Sequence, residues 1–148
     1  MLVSLTFDGS PARVLIGNDQ EWSARSLESV IVPLGCEVIR AFTGRQVLDA
    51  AQNNVCDLVL LDTQLPDIHG FDVCRQLRSP AFLGAGTPII MTTSGPAGRA
   101  QRLEALRAGA WEFLAEPMDV DLLLPRLSTF IEARRALLFP PNRGPVPA

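Results

Sequence analysis

The sequence predicts an α/β fold, a doubly wound parallel sheet of five strands flanked by five helices. Three observations carry that prediction. Five short apolar runs recur along the 148 residues. Two of them, Leu58-Val59-Leu60-Leu61 and Ile89-Ile90-Met91, are apolar at consecutive positions, as in strands covered on both faces. Segments with helical apolar spacing separate the runs, and parallel strands need such crossovers, right-handed by default. Finally, 47% hydrophobic and 20% charged residues are ordinary usage for one globular domain, which at this length buries roughly 70% of its unfolded surface.

The strands are expected at Val14 to Gly17, Glu37 to Ala41, Asp57 to Leu61, Pro88 to Thr92 and Glu112 to Ala115. After the first, Trp22, Leu27, Val30, Ile31 and Leu34 mark the inward face of a helix that Gly35 stops. A second helix runs from Gly44 to Asn54, with Val47, Leu48 and Ala51 inward. Gly70 to Arg78 gives a short third, with Phe71, Cys74 and Leu77 at helical spacing before Ser79-Pro80 breaks it. Gly98 to Ala108 supplies Leu103 and Leu106 to a fourth, ended by Gly109. The last extends from Asp119 to about Leu138, and Pro125 predicts a kink or a late start. Residues 1–12 read as an N-terminal extension that forms an added strand or stays loose, 13–138 as the domain, and 139–148 as a Pro-rich tail or linker.

Charge and composition exclude several function classes. The formal net charge of −3 offers no general attraction to nucleic acid or to an anionic membrane surface. All thirteen basic residues are arginine, which rules out Schiff-base chemistry, a lysine general base and the P-loop motif. Cys36, Cys56 and Cys74 are odd in number and widely spaced, so neither a disulfide framework nor a zinc site is expected. The first residues carry no positive n-region and no long apolar stretch, so no signal peptide or membrane anchor is expected and a cytoplasmic location is. Arginine without lysine, with much alanine and proline, fits a GC-rich bacterial genome.

In an open parallel sheet the ligand site lies outside the carboxyl ends of the strands, where strand order reverses. Those ends carry Asn18-Asp19, Asp62, Thr93-Ser94 and Glu116-Pro117. Two carboxylates with an amide and hydroxyls make an oxygen-rich patch suited to magnesium, which commonly keeps several waters beside one or two carboxylates.

This constellation resembles the receiver domain of two-component response regulators, a flavodoxin-like fold that takes a phosphoryl group on an aspartate. The most specific segment is Asp57-Leu-Val-Leu-Leu-Asp-Thr-Gln-Leu-Pro-Asp-Ile-His-Gly-Phe-Asp-Val-Cys-Arg-Gln-Leu-Arg78. Pro88-Ile-Ile-Met-Thr-Thr-Ser94, Ala108-Gly109-Ala110 and the Glu116-Pro117 junction follow in the family's order and spacing. The resemblance implies Asp62 as phosphoacceptor and Asp19 as the principal carboxylate for Mg2+, with Asn18 at its acidic neighbour's position. It further implies the Gln64 backbone carbonyl as a metal ligand, Thr93 as the phosphoryl-contacting switch hydroxyl, and Phe113 as the aromatic switch. Such a domain is not an enzyme beyond self-catalysed gain and loss of the phosphoryl group. Its implied partners are a histidine kinase or phosphotransfer protein, a downstream protein, and a second copy through the last helix.

Two positions depart from the family pattern. Asn18 adds no charge where an acid is usual, so metal affinity should fall. Glu116 stands where the family places a lysine that pairs with the phosphoryl group, and an added phosphoryl beside it is repelled unless Glu116 turns outward, is protonated or binds the cation. Arg99 and Arg102 are the candidates to reach in instead. Two readings stay open: a phosphorylatable switch, and a degenerate receiver that binds a partner without phosphorylation. A flavodoxin-type flavin or nucleotide binder lacks support, because Asn18-Asp19-Gln20-Glu21 is acidic where a phosphate cradle wants glycine and hydroxyls. His69 reads as a solvated loop residue, Trp22 and Trp111 as packing or interface residues, the cysteines as small core hydrophobes, and Arg134-Arg135 as a favourable helix-dipole placement.

Overall fold

The computed structural model describes residues 6–7 and 10–138; the expected tail at 139–148 lies outside the described residues. Seven strands and five helices alternate in the order β1 (Thr6–Phe7), β2 (Ser10–Pro11), β3 (Arg13–Gly17), α1 (Glu21–Ile31), β4 (Glu37–Ala41), α2 (Gly44–Asn53), β5 (Leu58–Asp62), α3 (Gly70–Leu77), β6 (Ile89–Thr93), α4 (Arg99–Ala108), β7 (Glu112–Ala115) and α5 (Val120–Leu138). The five expected strands form one parallel sheet in the order β4-β3-β5-β6-β7. β1 and β2 pair antiparallel with each other, so the described residues of the N-terminal segment form their own two-stranded ribbon, separate from the main sheet.

Successive residues of the central strands feed opposite faces. Val59 and Leu61 join Leu15, Met91 and Phe113 in a core under α2, α3 and α4. Leu58 and Leu60 join Val14, Ile16 and Ile90 in a second core under α1 and α5. All five residues of β5 and of β6 are buried, which explains their unbroken apolar character. β5 and β6 each run one residue later than expected, so Asp62 and Thr93 are the last residues of their strands.

Four expectations are corrected. Trp22 is 64% exposed, and the inward face of α1 is Ser23, Ala24, Leu27 and Ile31; the spacing from Leu27 back along the helix reaches Ala24 and Ser23, one position past Trp22. A 3-10 turn at Val32–Leu34 then delivers the chain to Gly35, whose φ of 83° suits glycine. On α4, Leu103 and Leu106 are exposed while Ala105 and Ala108 are buried, so the stripe that meets the sheet is the smaller one. α5 begins at Val120 with Pro125 inside it as its sixth residue, so the helix does not start late at the proline, which forgoes one intrahelical bond. Arg134 and Arg135 do not merely answer the helix dipole. Both bind Asp57, which is 4% exposed at the amino end of β5, with Arg134 Nη1 2.6 Å and Arg135 Nη2 2.9 Å from its carboxylate oxygens.

Candidate functional site

The strand order reverses between β3 and β5, whose following helices lie on opposite faces of the sheet. The carboxyl ends of β3, β5, β6 and β7 place Asn18-Asp19, Asp62, Thr93 and Glu116 around that point, as expected. The Glu116 amide donates to the Thr93 carbonyl at 2.7 Å, so the last two are tied through backbone. Asp62 is 6% exposed. Burial pushes its carboxyl up, and the negative charges of Glu116 and Asp19 add to this; the amides of Gln64 and Thr63 oppose it only partly, so the group settles at about 6. Its surroundings are anionic, with the charges of Glu116 and Asp19 both bearing on it.

The loop after β5 is held from two sides. Asp67 accepts the Gly44 amide at 2.6 Å and the Arg45 amide at 3.0 Å, answering unpaired donors at the start of α2. Those amides hold the Asp67 carboxyl below its ordinary value. Gly70 closes the loop by donating to the Thr63 carbonyl at 2.7 Å. A Cβ at Gly70 would lie 2.7 Å from Thr63 Cα and still nearer the Asp62 carbonyl. Gly70→Ala is thus expected to push α3 off the strand end, cost about 1–3 kcal/mol of stability in urea denaturation, and disturb the Gln64 carbonyl. An unchanged denaturation midpoint would show that this close approach can relax freely.

The remaining expected residues are placed as follows. Thr93 Oγ1 accepts the Gly95 amide at 3.1 Å, which leaves its hydroxyl hydrogen available to a ligand; the first residue of α4 is capped by Gly98, not by Thr93. Phe113 is 1% exposed, 6.3 Å from the Phe71 ring. His69 sits in the loop and caps α3, its Nδ1 accepting the Phe71 amide at 3.2 Å. Arg102 is bound to the Phe113 carbonyl and to Glu112, so it does not reach the pocket. Asn18 is 1% exposed and its side chain is spent within the fold: Oδ1 accepts the Gln20 amide and Nδ2 donates to Ser23 Oγ, both at 2.9 Å. Ser23 Oγ in turn donates to Glu116 Oε1 at 2.8 Å. Sequence reading missed Ser23, although a hydroxyl on the apolar stripe of α1 was the available signal.

The family described as response regulator receiver domain matches residues 14–128. The chain belongs to that family. This receiver domain is 34% identical over 116 residues to the response regulator PleD of Caulobacter vibrioides, covering 78% of this chain and 25% of that protein. It is 34% identical over 135 residues to the response regulator MprA of a Mycobacterium species, covering 91% and 55%. The chain thus spans between a quarter and about half of these curated relatives. Among solved structures, a putative response regulator from Chloroflexus aurantiacus superposes with a TM-score of 0.77 at 31% identity, over 83% of this chain and 99% of the other. A CheY-like receiver domain protein from Methanospirillum hungatei does so with a TM-score of 0.77 at 26% identity, over 85% and 98%. No helix among the described residues is long and apolar enough to cross a membrane.

The donor set of this receiver domain fits a hard cation in part. The Asp19 charge pushes the Asp62 carboxyl up, Asp19 is exposed, and the Gln64 carbonyl adds a neutral oxygen, a small set of the kind magnesium supplements with water. Among the described residues no three acidic, histidine or cysteine side chains form a metal-holding group. The Asn18 amide, at the acidic neighbour's position, bonds to Gln20 and Ser23.

Proposed function

We propose that this receiver domain is a phosphorylatable switch that takes a phosphoryl group on Asp62 from a histidine kinase or phosphotransfer protein. The observation that carries this reading is the buried Asp62 carboxyl at the sheet's switch point, with Asp19 and the Thr93 hydroxyl beside it. A carboxylate oxygen of Asp62 attacks phosphorus in line; the new O–P bond forms as the P–N bond of a phosphohistidine or phosphoramidate breaks, and the leaving nitrogen takes a proton from water. Asp19, Asp62 and the Gln64 carbonyl would hold Mg2+, which would supply charge neutralisation on the phosphoryl oxygens. Thr93 donates its free hydroxyl hydrogen to one of them, and a shift of Thr93 toward the phosphoryl group changes the space beside the buried Phe113, altering the α4–β7–α5 surface that meets a downstream partner or a second copy. The unit is residues 13–138, acting in the cytoplasm of a bacterium.

The second reading, a partner-binding receiver that works without phosphorylation, is favoured by Glu116, an anion where the family pattern has lysine. Intact mass after incubation with phosphoramidate and Mg2+ decides between them. The parent is expected to gain one phosphoryl adduct, absent in Asp62→Asn, and Glu116→Lys is expected to label faster by about tenfold. A parent that never labels beside a labelling Glu116→Lys variant would establish the second reading.

A further inference from the structure

Asn18 and Glu116 read in the sequence as two separate departures, yet in the fold they are the two ends of one hydrogen-bonded chain. Its direction is fixed by backbone. The Gln20 amide must meet an acceptor, so Oδ1 of Asn18 faces it and Nδ2 faces Ser23. With its oxygen accepting from Asn18, the Ser23 hydroxyl sends its hydrogen to Glu116 Oε1. An aspartate at position 18 has no hydrogen to give, and one serine hydrogen cannot serve two carboxylates. The amide and the glutamate therefore form a matched pair, with Ser23 between them. Glu116 lines a cavity of about 90 Å3 together with Trp22 and Met118, so its side chain has room to move once the bond to Ser23 is lost.

We propose that Ser23 is a positioning residue of the phosphoryl site: it tethers the Glu116 carboxylate to α1, and so lets Asp62 accept a phosphoryl group in a pocket that holds an acid in place of a cation. This rests on Asp62 being the acceptor. Freed from Ser23, Glu116 swings to the cation and to Asp62, tightening the metal while repelling the incoming phosphoryl group.

The test is a cycle of Ser23→Ala, Glu116→Gln and the double variant, with Ser23→Thr to return the hydroxyl. Two quantities are read: the rate of Asp62 labelling by phosphoramidate, and Mn2+ affinity by electron paramagnetic resonance in the absence of any phosphoryl donor. Ser23→Ala is expected to slow labelling by about tenfold and to tighten Mn2+ by about threefold. Both effects should vanish in the Glu116→Gln background, and Ser23→Thr should restore both. Equal effects of Ser23→Ala with and without Glu116 would mean a general packing role and overturn the proposal, as would unchanged Mn2+ affinity. A parent that does not label defeats the acceptor reading instead, while the Mn2+ cycle still decides whether Ser23 tethers Glu116.

Discussion

Asp57→Ala is expected to lower the stability of this receiver domain by about 3–5 kcal/mol, the cost of removing one partner from a buried ion pair and leaving the other charged. Asp57 accepts from Arg134 Nη1, from Nε and Nη2 of Arg135, and from the Arg13 amide at 2.9 Å. Arg135 also donates to the carbonyls of Ser10 and Pro11 at 3.3 Å. One carboxylate thus ties the end of α5 to β5, to β3 and to the N-terminal ribbon. Burial by itself would push the Asp57 carboxyl up, but the hydrogen bonds from the Arg135 side chain and the Arg13 amide and the charges of Arg135 and Arg134 outweigh it and hold the group below 3.8. A depressed acid contributes stability above its unfolded value and loses it as the pH falls through the folded one, so this share disappears below pH 3.8. Urea denaturation at pH 7 checks the magnitude, and thermal unfolding at the same pH is expected to show a fall in melting temperature of roughly 10 °C or more. A loss under about 1 kcal/mol would place the cluster with exposed pairs of little worth.

Asp62→Asn should do the opposite to stability while abolishing phosphoryl acceptance. The Asp62 carboxyl is raised from 3.8 to about 6 by burial first, with the charges of Glu116 and Asp19 adding to it. At 1.36 kcal/mol per pH unit this corresponds to about 2–3 kcal/mol of stability that the parent forgoes when the group is ionised. For an acid with a raised folded value the sign is a penalty that grows as the pH rises from 3.8 to about 6 and is complete above that. In EDTA at pH 8, Asp62→Asn should therefore melt higher than the parent by roughly 5 °C, and the two should converge near pH 3.5. Added Mg2+ should recover the difference for the parent alone, because a ligand that binds the folded state stabilises it by mass action. An asparagine variant no more stable than the parent at pH 8 would mean that the pocket does not strain its own acceptor.

Both effects involve aspartates five residues apart in one segment, and the sequence marked both without distinguishing their work. Asp62 was legible because its run, its loop and Gly70 form a specific pattern at a strand end. Asp57 was legible only as the first residue of a strand, since its partners lie 77 and 78 positions away, beyond any local period. Ser23 was hidden for a related reason. Its partner Glu116 is 93 residues distant, and a serine on an apolar helix face reads locally as a weak interruption. The exposed Trp22 shows the converse error, in which a large apolar residue is drawn to the core although the face that packs is set one position further on.

By itself the sequence determined the alternation of strands and helices, the covered central strands, and the residues carried to the strand ends, because these follow from hydrophobic period, turn chemistry and one specific segment. Tertiary structure decided the direction each polar side chain takes and the partner it meets. Asn18 was brought to Ser23, Arg102 to the Phe113 carbonyl, and Arg134 and Arg135 to Asp57. Buried polar groups must find partners wherever the chain brings them, and those partners come from elements far apart in sequence.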